Sequence, residues 1–169
     1  MSASVFALLQ FSILAYAVVG GVFLAFSDFI MRSLAHTSGI GGVEAMQVIN
    51  REVFRWVFMA LFLGMAAVSV FIVIYSATQL SGGPGTLITL GALVYLIGCF
   101  AVTVFFNVPM NENLARMDVL STSTQEYWVS TYLPRWTAWN TIRTIACAVS
   151  AGLILVGLTW LTQLQARGV

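Results

Sequence analysis

Apolar side chains run almost unbroken through four stretches of this chain, at about residues 5–26, 53–78, 86–106 and 141–161, and polar side chains gather between them. Each stretch has the roughly 20 residues that a helix needs to cross the hydrocarbon of a bilayer. None shows the alternation expected of a barrel strand, and backbone groups in lipid must be bonded within a helix or a closed barrel. The pattern predicts an all-α, integral membrane four-helix bundle forming one domain over residues 1–169. The first run has no basic leader in "MSASVFALLQFS" and is too long for a signal-peptide core, so it is expected to stay as a span.

The polar segments differ from one another. In "SDFIMRSLAHTSGIGGVEAMQVINREVFRW" the first helix is expected to run past the membrane surface, break at "TSGIGG" and restart near Val43. Asp28 and Arg32, four apart with the acid first, form a favourable helical pair worth about 0.2–0.5 kcal/mol. Gln47, Asn50 and Phe54 share a face by three- and four-residue spacing, and that face leads into the second span. The next connection, "SATQLSGGPGT", is uncharged and glycine-rich, as a tight turn between helices should be.

The last connection is "FFNVPMNENLARMDVLSTSTQEYWVSTYLPRWTAWNTIRT". Pro109 is expected to interrupt the helix at Asn107 and Val108, because the residue before proline is pushed away from helical geometry. Asn107 could then bond the carbonyls left without partners. Ser123 and Glu126 have the spacing of a capping box, which predicts a new helix start there. Pro134 is expected to kink or end that helix before the final span. Short amphipathic helices are therefore predicted in both connections on this side.

Composition agrees with the pattern: of 169 residues, 60% are hydrophobic and 8% charged, with a mean hydropathy of +0.95. A soluble domain is about 25% charged. Lysine is absent, and six of the seven arginines lie in or beside the segments that follow the first and third spans. The positive-inside tendency puts those segments in the cytoplasm and both termini outside, in the inner membrane of a bacterium. All six acids lie on the same side, so that charged face is also open to a functional reading. A net charge of +1 gives no reason to expect nucleic acid as a partner. Cys99 and Cys147 fall within spans, where thiols serve as small packing residues, and they define neither a disulfide framework nor a metal motif.

The candidate chemistry gathers at "RWTAWNTIRTIACAV". Trp136, Trp139, Asn140 and Arg143 occupy one stripe of the helix leading into the last span. With Asn107, Asn111, Gln47 and Asn50 they make a group of amides from three segments on one side of the membrane. Tryptophans also serve as interface anchors, and an arginine one turn inside can reach back to water. An ionisable group at the mouth of a span is nevertheless a functional-site hypothesis by default. His36 is the single histidine, and no metal-ligand spacing appears. Met31, Met46, Met110 and Met117 read as core filling. "GIGG" and "GGPG" do not open a nucleotide-binding helix after a strand, and no hydrolase motif is present. No cofactor is expected from these residues, which leave a metal or haem open.

The order "GVFLAFSDFIMRSL", "GGVEAMQVIN", "FFNVPMNENLA" and "YWVSTYLPRWTAWNTIRT" resembles the anthrone oxygenase family, small four-span membrane proteins, over nearly the whole chain. Its most specific parts are the Asn-Val-Pro-x-Asn run from Asn107 to Asn111 and the Trp-x-x-Trp-Asn-x-x-Arg run from Trp136 to Arg143. The resemblance implies oxidation of the central methylene of a polycyclic anthrone to a quinone carbonyl by dioxygen, with no established cofactor. Where relatives often read Asn-Pro shortly after "Gln-x-Ile-Asn", this chain has Arg55 and Trp56, which implies a different guest at the pocket mouth.

On this reading a small apolar aromatic substrate enters from the lipid bilayer and loses a methylene proton, and the resulting anion reacts with dioxygen. Arg143, Asn140 and Asn107 are the expected catalytic donors to the developing oxyanion. Trp136 and Trp139 offer flat faces for the rings, with Asn111, Gln47 and Asn50 beside them. Asp28, Glu112 and His36 lie on the correct side to act as base, and no spacing selects among them. The alternative is a non-enzymatic membrane subunit, or a binder of a small lipid-soluble ligand such as a quinone. A homo-oligomer formed through small residues such as Gly91 and Gly98 stays open.

Overall fold

The computed structural model describes residues 1–55 and 57–167, and among them every regular element is helical. Helix α1 spans Ala3–Ala35, α2 Gly41–Glu52, α3 Val57–Gln79, α4 Gly82–Ala115 and α5 Thr122–Ala166. All but α2 are long and apolar enough to cross a membrane. Large apolar side chains such as Leu14, Leu24, Phe71, Ile97 and Leu155 stay exposed along the long helices, the surface that lipid covers in an integral membrane bundle.

The core runs down the middle of the bundle. Tyr16, Val19, Met65, Ile72, Ile88, Tyr95 and Ile154 are fully buried there. Helix α5 packs along both α1 and α4, and α3 leans on α4. Small residues set the α4–α5 distance: a Cβ on Gly98 would sit 2.7 Å from Ala146 Cβ, and one on Gly157 would sit 2.8 Å from an Ile88 side-chain carbon. Close backbone approach over small residues is how apolar helices associate without a hydrophobic driving force between them. Gly91 and Gly98 therefore serve contacts inside the chain, against Ile154 and Ala146, and are covered there.

A second core lies on the polar side, where Met31, Val43, Met46, Leu114, Trp128 and Tyr132 pack together. The first connection forms as its sequence suggests. Helix α1 ends at Ala35, Gly39 turns the chain with φ +57°, and α2 starts at Gly41, two residues before the expected restart at Val43. Asp28 and Arg32 form the expected exposed pair, 3.6 Å apart. The second connection is shorter than expected, because "GGPG" belongs to the first turn of α4, where the missing N–H of Pro84 needs no partner.

The third connection corrects the interruption expected at Pro109, the ending of a helix at Pro134 and the capping box. The helix continues through Asn107, Val108 and Pro109, and the chain also stays helical through Pro134. Both prolines follow π-helical stretches, Thr103–Asn107 and Trp128–Tyr132. There the Val108 and Leu133 N–H groups bond carbonyls five residues back, at Thr103 and Trp128. This wider turn shifts the hydrogen-bond ladder by one residue, so the helix accommodates a ring and a missing donor. The last helix starts at Thr122 with Ser121 as its cap residue, so Ser123 and Glu126 make no capping box. On that side the separate short helix is α2, and the ends of α1, α4 and α5 run on past the apolar stretches of the sequence.

Candidate functional site

A cavity of about 260 Å³ opens on the polar half of the bundle, between α1 and α3 and beneath α2. Its walls are aromatic and aliphatic: Phe23 and Phe26 from α1, Phe58, Met59 and Phe62 from α3, and Phe100 from α4. Phe23 meets Phe58 and Phe62 edge to face, with centroids 5.6 and 6.4 Å apart. Val22, Phe54, Leu63 and Val104 line the cavity and are also exposed on the outside of the bundle. Polar atoms in the lining come from Asn50, Thr103, Asn111 and Arg143, together with the Trp136 indole.

Arg143 is the centre of this group. It stands on α5 at 4% exposure and reaches across the seam to α4, where Nη1 donates to Thr103 Oγ1 at 3.2 Å. Nη2 donates to Asn140 Oδ1 at 2.6 Å. The guanidinium carbon lies 4.1 Å from the Phe23 ring centre and 5.3 Å from that of Trp136. Aromatic faces attract a cation, more strongly once it is out of water. Among the described residues Nε has no hydrogen-bond partner and the side chain makes no ion pair with a carboxylate. The remaining pairs, Arg55 with Glu52 and Arg116 with Glu112, are exposed. A buried charge without an opposite charge is strongly disfavoured, which makes this guanidinium the outstanding electrostatic feature of the molecule.

Asn140 holds Arg143 in place. It is fully buried, and its Nδ2 donates at 2.6 Å to both the Phe23 carbonyl and Ser27 Oγ of α1. With Oδ1 taken by Arg143, its hydrogen-bonding capacity is used within the protein, and it does not line the cavity. Asn107 is also buried outside the cavity lining, donating to the Trp136 carbonyl at 3.3 Å, and its Oδ1 has no partner among the described residues.

The other predicted site residues divide clearly. Trp136, Asn111 and Asn50 line the cavity. Gln47 faces away from it and donates to the Leu114 and Met117 carbonyls at 2.8 and 3.0 Å, bonding the C-terminal end of α4. Trp139 lies against Phe106, centroids 3.8 Å apart, outside the cavity. Asp28, Glu112 and His36, the residues open as base, are exposed on the surface and do not line it either. Arg55 is exposed, and Trp56 lies outside the described residues.

Sequence reading missed Thr103 and the phenylalanine walls. Thr103 stands four residues before Asn107, the helical spacing that puts two side chains on one face, so its position was detectable. Nothing in the sequence separates Phe23, Phe58, Phe62 and Phe100 from the chain's other phenylalanines. Phe26, Phe100 and Thr103 also sit within π-helical stretches, a local geometry that recurs at functional sites.

These features define a membrane helix bundle with an aromatic cavity and a cation at its inner end. The family model described as anthrone oxygenase matches residues 50–153, more than half of the chain. The chain belongs to the anthrone oxygenase family. No curated protein and no solved structure matches it.

Proposed function

We propose that the cavity takes a small planar aromatic guest from the bilayer and stabilises its conjugate base on Arg143, so that dioxygen can oxidise it. The observation that carries this reading is the buried guanidinium, unpaired with any carboxylate among the described residues, facing an aromatic-walled space. The space is smaller than the roughly 300–1,000 Å³ of drug-sized ligand pockets, which suits a rigid guest of few rings. An anthrone-type molecule has this shape. Loss of a proton from its activated methylene to water spreads an electron pair onto the ring oxygen, where Arg143 donates. Preorganised donors in a dry site are a leading source of rate enhancement.

The carbanion carbon then adds dioxygen, the peroxide takes up a proton, and loss of water leaves a carbonyl. The methylene supplies all four electrons, so no external reductant enters. One oxygen atom ends in the product and the other in water. Water takes the proton, and this chain's residues position the guest and its charge, with Thr103 and Asn140 holding the guanidinium and Trp136 covering one side of the guest.

A second reading is favoured by the cavity lining, which among the described residues contains no Asp, Glu or His. The protein would then bind an acidic lipophile or a quinone without turning it over. Purified full-length protein mixed with anthrone under ¹⁸O₂ separates the two. The oxygenase reading expects catalysed oxygen uptake and one ¹⁸O in each carbonyl product. Saturable binding with uptake no faster than in buffer would support the binder instead.

A further inference from the structure

Three side chains on the cavity wall, Asn50, Asn111 and Trp136, are joined through the buried Tyr132 hydroxyl into a hydrogen-bond chain whose direction is fixed by its last member. Trp136 Nε1 can only donate, and it lies 2.7 Å from the side-chain amide of Asn111, so the atom facing it is Oδ1. Tyr132 places its hydroxyl 2.8 Å from the same oxygen and must donate to it. The tyrosine oxygen is then free to accept, and the Asn50 amide atom 3.2 Å away must be Nδ2. Both asparagine orientations follow without ambiguity.

Two atoms are left over, Asn111 Nδ2 as a donor and Asn50 Oδ1 as an acceptor. Neither has a partner among the described residues, and both asparagines line the cavity that holds Arg143. Tyr132 is fully buried and stacks between Trp128 and Trp136, with ring centres 5.3 and 6.2 Å away, so the chain sits on a rigid support. One free donor and one free acceptor, on two cavity-lining residues that both bond the Tyr132 hydroxyl, match a neutral hydroxyl group, which can give a proton to Asn50 and accept one from Asn111.

We infer that Asn50 and Asn111 read a free hydroxyl on the guest, at a position separate from the oxygen held by Arg143. Asn50 and Asn111 would then be the residues that separate a guest carrying a free hydroxyl at this position from its O-methyl ether or deoxy analogue. This rests on the proposed function, since it assigns a second contact point to the same guest. Sites built to bond a hydroxyl discriminate strongly against analogues that lack it, because their own polar groups go unpaired.

The test is a series of monohydroxyanthrones differing in hydroxyl position, their methyl ethers and unsubstituted anthrone, each assayed for KM with the full-length protein in detergent. At least one positional isomer should be preferred over its ether by about tenfold or more. Asn50→Leu should bring that ratio close to one, and Tyr132→Phe, which releases the Asn50 amide, should lower it. An unchanged ratio in both folded variants, while Arg143→Ala still lowers turnover by about 10²–10³-fold, would overturn the hydroxyl reader and leave the oxyanion reading standing. Equal affinity for hydroxyl and ether forms at every position would overturn it as well. If no anthrone, hydroxylated or not, is turned over by the unaltered protein, the functional reading fails and this inference falls with it.

Discussion

The seam between α4 and α5 and the side where α1 meets α3 are built from opposite kinds of residue. On the first, Gly91, Gly98 and Gly157 bring two helices close along their length, leaving no room for a Cβ. On the second, contact rests on the Tyr16–Ser69 hydrogen bond at 2.6 Å and on the edges of Phe23, Phe58 and Phe62. Large rings meeting edge to face fill space less completely than interlocking small residues, so the cavity lies on that side. Arg143 and Thr103 straddle the tight seam but face the loose side. The close packing fixes the cation, and the open packing admits what the cation binds.

Substitutions on each side should have different consequences. Arg143→Ala removes the charge without altering the glycines of the tight seam or the Tyr16–Ser69 bond of the loose side. On the oxygenase reading it should lower kcat for anthrone oxidation by about 10²–10³-fold, the usual loss on removing an oxyanion donor. Oxygen-electrode rates read this, and gel filtration in detergent checks that the variant stays folded; an unchanged rate would remove the guanidinium from the chemistry. On the tight seam, Gly98→Leu forces side-chain atoms into the space of Ala146 and should destabilise the bundle by about 1–3 kcal/mol. A lower thermal midpoint in detergent would show this, accompanied by lost activity as Arg143 separates from Thr103.

Smaller effects are expected where packing is open. Tyr16→Phe deletes the hydrogen bond to Ser69 across the loose side and should cost about 0.5–1.5 kcal/mol, visible as a modest fall in the same midpoint. A fall as large as that of Gly98→Leu would mean that the α1–α3 contact carries more of the fold than its geometry suggests. Gly64→Ala adds a methyl group with nothing within 4 Å, so its midpoint should stay within about 0.5 kcal/mol of the parent's. A marked loss there would reveal a contact on that face with another chain or with lipid.

Particular residues show how far the sequence could be read. Arg143 stood out because a charge at the mouth of an apolar run is rare, and the structure buries it against α4. Asn140 was equally conspicuous, yet it bonds α1 and Arg143 rather than lining the cavity. Gln47 and Trp139 shared helical faces with site residues, but a face in the sequence can point to the site or to another helix. Gln47 met the end of α4, and Trp139 met Phe106. Pro109 read as a break and Pro134 as a kink or an end, since the i−4 ladder cannot pass a proline unchanged. The π turns that carry the helix past them are a tertiary accommodation with no local signature.

The sequence by itself determined the four long apolar helices, the end of the bundle at which polar groups collect and the identity of the buried cation. Those follow from the cost of unbonded backbone and bare charge in hydrocarbon, which each segment meets independently. Only the tertiary structure decided where the cavity lies, which amides face it and which side chains hold Arg143. These depend on how closely pairs of helices approach, and that distance is set by residues meeting from distant parts of the chain.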